Sequence, residues 1–468
     1  MFKKFIGNKQ FYKNLLIVCI PIVLSQLITQ FVGLLDNLMV GQLTPAEYNG
    51  VAIANQFMFI FNLAVFGANA GPSIFATQYH GAKNIEGVKE TIRYKWIICF
   101  VILLLGTLVF TLFDDSLFNL FIHEENLDSV NPEEVIKFGK EYLSIMIFGL
   151  LPFVITEIYS TCLREVKQTF IPMLANIIAV VLNMILNYIL IFGKFGLPTL
   201  GVKGAAIATV IARFVCCAIV VIFSHCTKKY NFVNCIFNRL IPTKKSFINI
   251  FKGSYLLLIN EFLWSFGMTL LNYCYSFKGL EVVAAMNIVS TVSNLFGLLG
   301  TSVGIGISVI LGQQLGSNQL KEAKEDSTKY IFFSVVLGLL ITILMFFIKD
   351  PILSLYKFDS NILDVAGKLI IISSFLVVVR TYSITCYFIM RSGGKIFITF
   401  LFDSVFTIVI RFGITFLFVK LTNLNIFYIY FISEILEVIK IVIGTILVKK
   451  GVWVNKLDEK KVNEFSTR

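Results

Sequence analysis

Long, unbroken apolar runs constrain this chain more than any other feature. Ile97 to Phe113, Ile331 to Ile348 and Ile396 to Val419 each approach or exceed the roughly 18–20 residues that cross a bilayer as helix. Lipid offers no partner to backbone N–H and C=O groups, so a run of this kind must satisfy them internally. Strands of a membrane barrel are about ten residues long and alternate in polarity, whereas these runs are apolar on every side. Composition agrees with helical spans. The 468 residues are 57% hydrophobic and 15% charged, against roughly 45–50% and 25% for a soluble domain. A soluble enzyme, a disordered chain and a disulfide scaffold are all disfavoured. Cys19, Cys99, Cys162, Cys216, Cys217, Cys274 and Cys386 lie inside apolar runs, where a thiol behaves as a small hydrophobe. No C-x-x-C or metal-ligand spacing appears. The basic N-terminus leads into an apolar run without a small-residue cleavage site, so a first span starting from Met1 is expected rather than a removable signal.

Reading the runs between charged or Gly/Pro-marked breaks predicts twelve spans, near 15–40, 51–77, 94–113, 138–163, 169–192, 203–225, 250–276, 282–312, 330–349, 366–390, 396–419 and 425–448. The net charge of +12 is distributed by loop. With the N-terminus in the cytoplasm, Lys and Arg concentrate on the inner side, as the positive-inside rule requires. The outer loop between spans three and four carries Asp114, Asp115, Glu124, Glu125, Asp128, Glu133 and Glu134. The inner loop between spans six and seven carries Lys228, Lys229, Arg239, Lys244, Lys245 and Lys252. Both termini are therefore expected in the cytoplasm. The basic charge follows from topology and contact with the lipid bilayer, and nucleic acid is not an expected partner.

The two halves repeat. Gln78-Tyr79-His80-Gly81 follows the second span, and 235 positions later Gln313-Gln314-Leu315-Gly316 follows the eighth. Arg164 opens a short basic loop ending at Phe170, and 227 positions later Arg391 opens one ending at Phe397. Six helices repeated in one orientation predict two lobes related by a pseudo-twofold axis along the membrane normal, with a cavity between them. The expected division is 1–225 for the N-terminal lobe, 226–249 for a cytoplasmic connecting loop, and 250–468 for the C-terminal lobe and cytoplasmic tail.

Several stretches resemble a known family. Pro21-Ile22-Val23-Leu24-Ser25-Gln26, Asp36-Asn37-Leu38-Met39-Val40-Gly41, Val51-Ala52-Ile53-Ala54-Asn55-Gln56, Leu163-Arg164-Glu165, the run from Gly201 to Thr209, and Arg391-Ser392-Gly393-Gly394-Lys395 occur in the order found in multidrug and toxic compound extrusion (MATE) transporters. The resemblance runs from about Lys13 to Trp453. It implies an antiporter of the inner or plasma membrane, bacterial in type. Such a protein exports organic cations or amphipathic compounds in exchange for H⁺ or Na⁺ by alternating access. A monomer without cofactor is expected, its small-molecule substrate and coupling ion being the only ligands.

Ten ionisable residues fall well inside spans, and each is a functional hypothesis. They are Asp36, Glu157, Arg213, Glu261, Arg380, Asp403, Arg411, Glu434, Glu437 and Lys440. Asp36 follows Pro21 by fifteen residues on the same span, and Pro removes a backbone hydrogen bond and can act as a hinge. A poorly hydrated carboxylate can exchange a proton or Na⁺ against a cationic substrate. The plainer reading is a carboxylate near the outer end of its helix that reaches water. The family carries an acid here, and one branch also carries the upstream Pro.

On span five, Asn176, Asn183 and Asn187 share one helix face. The resemblance matches Asn183 and Asn187 to a pair that joins the span-one acid in an ion or proton site. Some members have an acid where this chain has Asn187. Interhelical hydrogen bonding is the alternative role for all three amides. Thr209 could add a neutral oxygen. Glu261, mid-span, matches one acid of a Na⁺ site in another branch, but the partner acid falls at Arg380, and a cation there would repel Na⁺. A Glu261–Arg380 ion pair is the expected alternative. Glu437 and Lys440, three apart, should pair along one helix face, and Asp403 is the member of the late cluster expected to face the cavity. With neither matched carboxylate pair complete, proton coupling is favoured over Na⁺.

Four classes compete with this reading. Of the three His, His80, His123 and His225 all lie at span ends or in loops, and no H-E-x-x-H, P-loop or nucleophile elbow is present. Enzyme and ATP-driven pump are thereby disfavoured, and no filter motif supports a channel. A lipid-linked saccharide flippase of the same superfamily is the closest alternative, and would need a basic cavity for its diphosphate.

Overall fold

The computed structural model describes residues 5–119, 131–227, 239, 241–356 and 358–457. Outside them lie His123, Glu124, Glu125, Asp128, Lys228 and Lys229, most of the connecting loop, and the last residues of the tail. The described chain is helical, and no strand occurs among the described residues. In chain order the first helices are α1 (Lys9–Val40), α2 (Pro45–Gly81), α3 (Ile85–Leu112), α4 (Asp114–Asn119), α5 (Pro132–Met146) and α6 (Leu150–Glu165). They are followed by α7 (Phe170–Phe192), α8 (Gly201–Cys226), α9 (Lys244–Lys252), α10 (Tyr255–Ser276), α11 (Leu280–Gly316), α12 (Leu320–Leu353) and α13 (Ser360–Ser392). After α14 (Ile396–Phe400) a wide π-helical segment, Leu401–Phe412, leads into α15 (Gly413–Leu421), α16 (Ile426–Ile435) and α17 (Glu437–Lys450).

Eleven helical segments among the described residues are long and apolar enough to cross a membrane. The fourth joins α5 to α6 through the short turn Ile147–Gly149, and the eleventh contains the π-helical segment. The twelfth predicted span, 425–448, is carried by α16 and α17 and is not continuous. At Leu436 the backbone tightens, the Ile439 N–H bonding to the carbonyl three residues back at 3.0 Å. Glu434 and Glu437, on either side of this break, are both buried.

The chain forms two compact units, Leu24–Ala76 with Ile85–Ile250, and Met1–Val23 with Thr77–Asn84 and Phe251–Arg468. Each half of the chain thus dominates one unit, but two segments group with the later half. The reason is packing. Leu15, Val18, Cys19 and Ile22 share a buried core with Val303, Ile307, Leu311 and Leu315 of α11, and the Cys19 thiol points to the Val303 carbonyl at 3.8 Å. Helix α1 leaves that core at Val23, two residues after Pro21, which lies inside the helix.

The repeated Gln-x-x-Gly stretches explain the second segment. A Cβ on Gly81 would collide with the Gln313 carbonyl, and one on Gly316 with the Gln78 carbonyl. The contact is reciprocal, so each copy of the motif supplies the glycine that lets the other helix's backbone approach. The Gln78 side chain is buried and donates to the carbonyls of Ser392 (2.9 Å) and Asn455 (3.4 Å), while its oxygen accepts from the Leu457 N–H (2.8 Å). The segment after α17 is thereby tied to the ends of α2 and α13.

In the other unit α7 packs along α8, and α3 along α6. Lys95 and Glu165, both buried, form an ion pair there. Lys95 also donates to Thr161 at 3.2 Å and Ser73 at 3.4 Å. A buried pair is tolerated when hydrogen bonds satisfy its remaining atoms. The start of span three and the Leu-Arg-Glu motif are joined by it.

Candidate functional site

Helix α7 turns its three asparagines toward α1. Asn176 donates to the hydroxyls of Thr29 (2.6 Å) and Ser25 (3.0 Å), and to the Ser25 carbonyl (3.3 Å). Two turns on, Asn183 and Asn187 reach Asp36, which is half-buried. The Asn187 amide donates to Asp36 Oδ1 at 2.6 Å. Asn183 lies between Asp36 and Thr209. With its N–H groups toward the acid it stands 2.9 Å from Oδ1 and 3.2 Å from Oδ2, and its oxygen then accepts from the Thr209 hydroxyl at 3.2 Å and backbone N–H at 3.3 Å. That orientation satisfies both ends of the amide, which is how amide assignments are made. Asn183 and Asn187 are themselves buried. The Asn187 oxygen, Oδ1, is buried without a hydrogen-bond partner among the described residues.

Asn176 therefore ties the two helices together, while Asn183, Asn187 and Thr209 surround the acid. The carboxylate is held by neutral donors. No Lys, Arg or His lies within 4 Å of it among the described residues, and this sets it apart from the other five embedded acids. Glu157 meets Arg164 at 3.3 Å, and Glu261 meets Arg391 at 3.8 Å. Asp403 meets Lys440 at 3.6 Å, and Glu437 meets Lys440 at 3.3 Å and Arg411 at 3.6 Å. Glu434 holds Arg380 at 3.0 Å and also pairs with Arg411.

The last of these pairings corrects an expectation. The Glu261–Arg380 pair does not form. Arg380 and Glu434 lie on the tenth and twelfth spans, whose helices α13 and α16 pack together, and the guanidinium places Nη2 3.0 and 3.2 Å from the two carboxylate oxygens. Glu261 takes Arg391 instead. In the repeat Arg391 corresponds to Arg164, so each half opens this loop with an arginine that pairs with an embedded glutamate.

Arg380, Glu434, Arg411, Glu437, Lys440 and Asp403 form one chain of alternating charge across α13, the π-helical segment, α16 and α17. Its interior members are 4–9% exposed, and its ends, Arg380 and Asp403, are 23% and 22% exposed. The π-helical segment supplies both Asp403 and Arg411. Asp403 also accepts from Asn260 at 3.2 Å, and Asn260 accepts from the Ser404 hydroxyl at 2.8 Å. Asn260 is fully buried and was not singled out from the sequence, although an amide beside Glu261 in mid-span was the available signal.

Comparison with known proteins agrees with this architecture. A family model described as MatE matches residues 21–189 and 256–417, more than half of the chain. The chain is 25% identical over 374 residues to a probable multidrug resistance protein NorM of Thermotoga maritima, covering 78% of this chain and 77% of that one. It is 26% identical over 373 residues to a probable multidrug resistance protein YoeA of Bacillus subtilis, covering 77% of each. Among solved structures, a MATE crystal structure in complex with MaL6 superposes with a TM-score of 0.82 at 18% identity, covering 96% of this chain and 98% of that one. An outward-facing multidrug resistance MATE family transporter of the MOP superfamily superposes with a TM-score of 0.81 at 17% identity, over the same shares. The chain belongs to the MATE family, and it is a multi-pass membrane transporter rather than an enzyme.

Proposed function

We propose that this protein is a secondary active antiporter that exports organic cations or amphipathic drugs in exchange for protons, with Asp36 as the exchanging group. One observation carries the reading: Asp36 is the single embedded acid of the six that has no cation beside it among the described residues. A carboxylate already paired with Arg or Lys has little to gain from a further positive charge. An unpaired one in a poorly hydrated site favours a proton or a cationic substrate, one excluding the other.

The amides around Asp36 favour the proton over Na⁺. Asn183 and Asn187 present N–H donors to the carboxylate, whereas Na⁺ needs several inward-facing oxygens. The unpartnered Asn187 oxygen offers an acceptor to the O–H of a protonated Asp36 after a rotation of the amide. Glu261 is then a secondary candidate, because Arg391 already answers its charge. Pro21 is the hinge of α1, where the helix passes from one compact unit to the other.

Both termini are placed in the cytoplasm, and the membrane is the bacterial inner or plasma membrane. The protein works as a monomer without cofactor. The flippase alternative is not favoured, since the embedded acids and bases show no basic excess. The test is efflux from proteoliposomes with pH and Na⁺ gradients imposed separately. Uphill transport driven by the pH gradient alone is expected. Transport that persists on a Na⁺ gradient with the pH gradient collapsed, and stops when choline replaces Na⁺, would reverse the choice of ion.

A further inference from the structure

The connecting loop ends in a short helix, α9, which stands just before α10 and takes no part in the polar sites described above. Its start is fixed to α3. Thr243 caps it, the hydroxyl accepting from the Ser246 N–H at 3.2 Å. Glu90 of α3, itself buried, accepts from the Thr243 N–H at 2.6 Å and from its hydroxyl at 3.1 Å. The Phe247 ring lies 5.1 Å from the Tyr94 ring of α3, centre to centre, and Ile250 is buried. These contacts settle which way the helix faces. Lys244, Lys245, Ile248, Phe251 and Lys252 share the other side of its helical wheel, and all five are exposed.

The composition of that exposed face is informative. A face turned to water is polar, and one turned to acyl chains is apolar. Here three lysines are interleaved with Ile248 and Phe251, and α9 contains no acid. Such a mixture suits the boundary between headgroups and acyl chains, where lysine stems lie along apolar surface while their ammonium groups reach phosphate. The position fits as well. α9 is continuous with the candidate span Lys244–Ser276 and forms its first part, so it stands at the level where a span meets the bilayer surface. Arg239 and Ile241, immediately upstream, repeat the combination of one base and one apolar side chain, both exposed.

We propose that α9 lies in the headgroup layer of the cytoplasmic leaflet and binds anionic phospholipid through Lys244, Lys245 and Lys252, with Ile248 and Phe251 seated among the upper acyl carbons. The segment that joins the two halves of the chain is then held from two sides, by the Glu90 cap and by lipid. The proposal is independent of the reading of Asp36.

The test is quenching by brominated lipid in proteoliposomes containing the full chain. Ile248→Trp adds an indole on the exposed face, and its signal is taken as the difference from wild type, which carries Trp96, Trp264 and Trp453. Brominated phosphatidylglycerol is expected to quench the added indole at least about twofold more than brominated phosphatidylcholine at equal bromine content. That preference should disappear in about 0.5 M NaCl. It should also disappear when Lys244→Gln, Lys245→Gln and Lys252→Gln are combined with Ile248→Trp, while quenching by both lipids persists because the apolar residues remain. Should the combined variant fail to fold, the salt dependence of Ile248→Trp alone carries the test. Absence of quenching by either lipid would place this face in water or against another protein and overturn the proposal. Equal quenching by the two lipids at low salt would show apolar contact without anion recognition and overturn it as well.

Discussion

Glu434 is the point at which the C-terminal charge chain should be most sensitive. It is 4% exposed and answers two arginines, Arg411 at 5% exposure and Arg380 at 23%. Glu434→Gln keeps the shape and removes the charge. Arg411 is left sharing Glu437 with Lys440, and Arg380 loses its carboxylate. Removing one partner of a buried pair costs about 3–5 kcal/mol, because the remaining charge is stranded. For a cooperative unit of this size that corresponds to a fall in melting temperature of roughly 6 °C or more. The assay is loss of monodisperse protein on heating in detergent, followed by fluorescence-detected gel filtration. Arg380→Gln, which removes the partly exposed end of the chain, should cost only about 1 kcal/mol. The double variant Glu434→Gln/Arg411→Gln removes one charge of each sign and should recover about 1–3 kcal/mol relative to the sum of the single variants. A melting temperature within a degree of wild type for Glu434→Gln, or strict additivity in the double variant, would refute the description of these residues as one coupled chain.

Other expectations concern separate parts of the molecule. Gly81→Ala and Gly316→Ala each push a Cβ into the opposing carbonyl and should each destabilise by about 1–3 kcal/mol, read from the same melting assay. Glu261→Gln should keep coupled efflux within a few-fold of wild type at equal expression, since Arg391 already compensates its charge, and complete loss of coupling would restore Glu261 as an exchanging group. Gln78→Ala removes the side chain that holds the Ser392 and Asn455 carbonyls and the Leu457 N–H, and should lower stability by about 1–3 kcal/mol. Pro21→Ala should slow transport less than Asp36→Asn does, because it alters bending of α1 and leaves the exchangeable charge in place. Equal activity at all substrate concentrations would show that α1 need not bend there.

The apolar runs made the helices legible, because a span must close its own backbone hydrogen bonds whatever its neighbours are. The face shared by Asn176, Asn183 and Asn187 followed from helical spacing, and so did the pairing of Glu437 with Lys440. What spacing could not show was partnership between helices. Arg380 finds Glu434, 54 residues away, and Glu261 finds Arg391, and nothing local distinguishes these partners from the pairing expected between Glu261 and Arg380. The same limit hid the packing of the first half of α1 against α11. A span that is apolar all round carries no stripe to mark which neighbour it will bury against. The repeated Gln-x-x-Gly stretches were visible as a repeat, but their purpose, a mutual approach of two backbones, appears only when both copies are seen together. The break at Leu436 has no Pro or Gly at the site, and the π-helical segment that carries Asp403 and Arg411 has none within it, Gly413 only closing its end.

Competition between proton and cationic substrate at Asp36 is tested most directly by proton release. Purified protein in weakly buffered detergent solution is mixed with a cationic substrate while a pH dye reports free protons. Release of a proton for each bound cation is expected from wild type near the pH at which Asp36 is half protonated, with no release from Asp36→Asn and no change when choline replaces Na⁺. The same proton release from Asp36→Asn would contradict the assignment of Asp36 as the exchanging group.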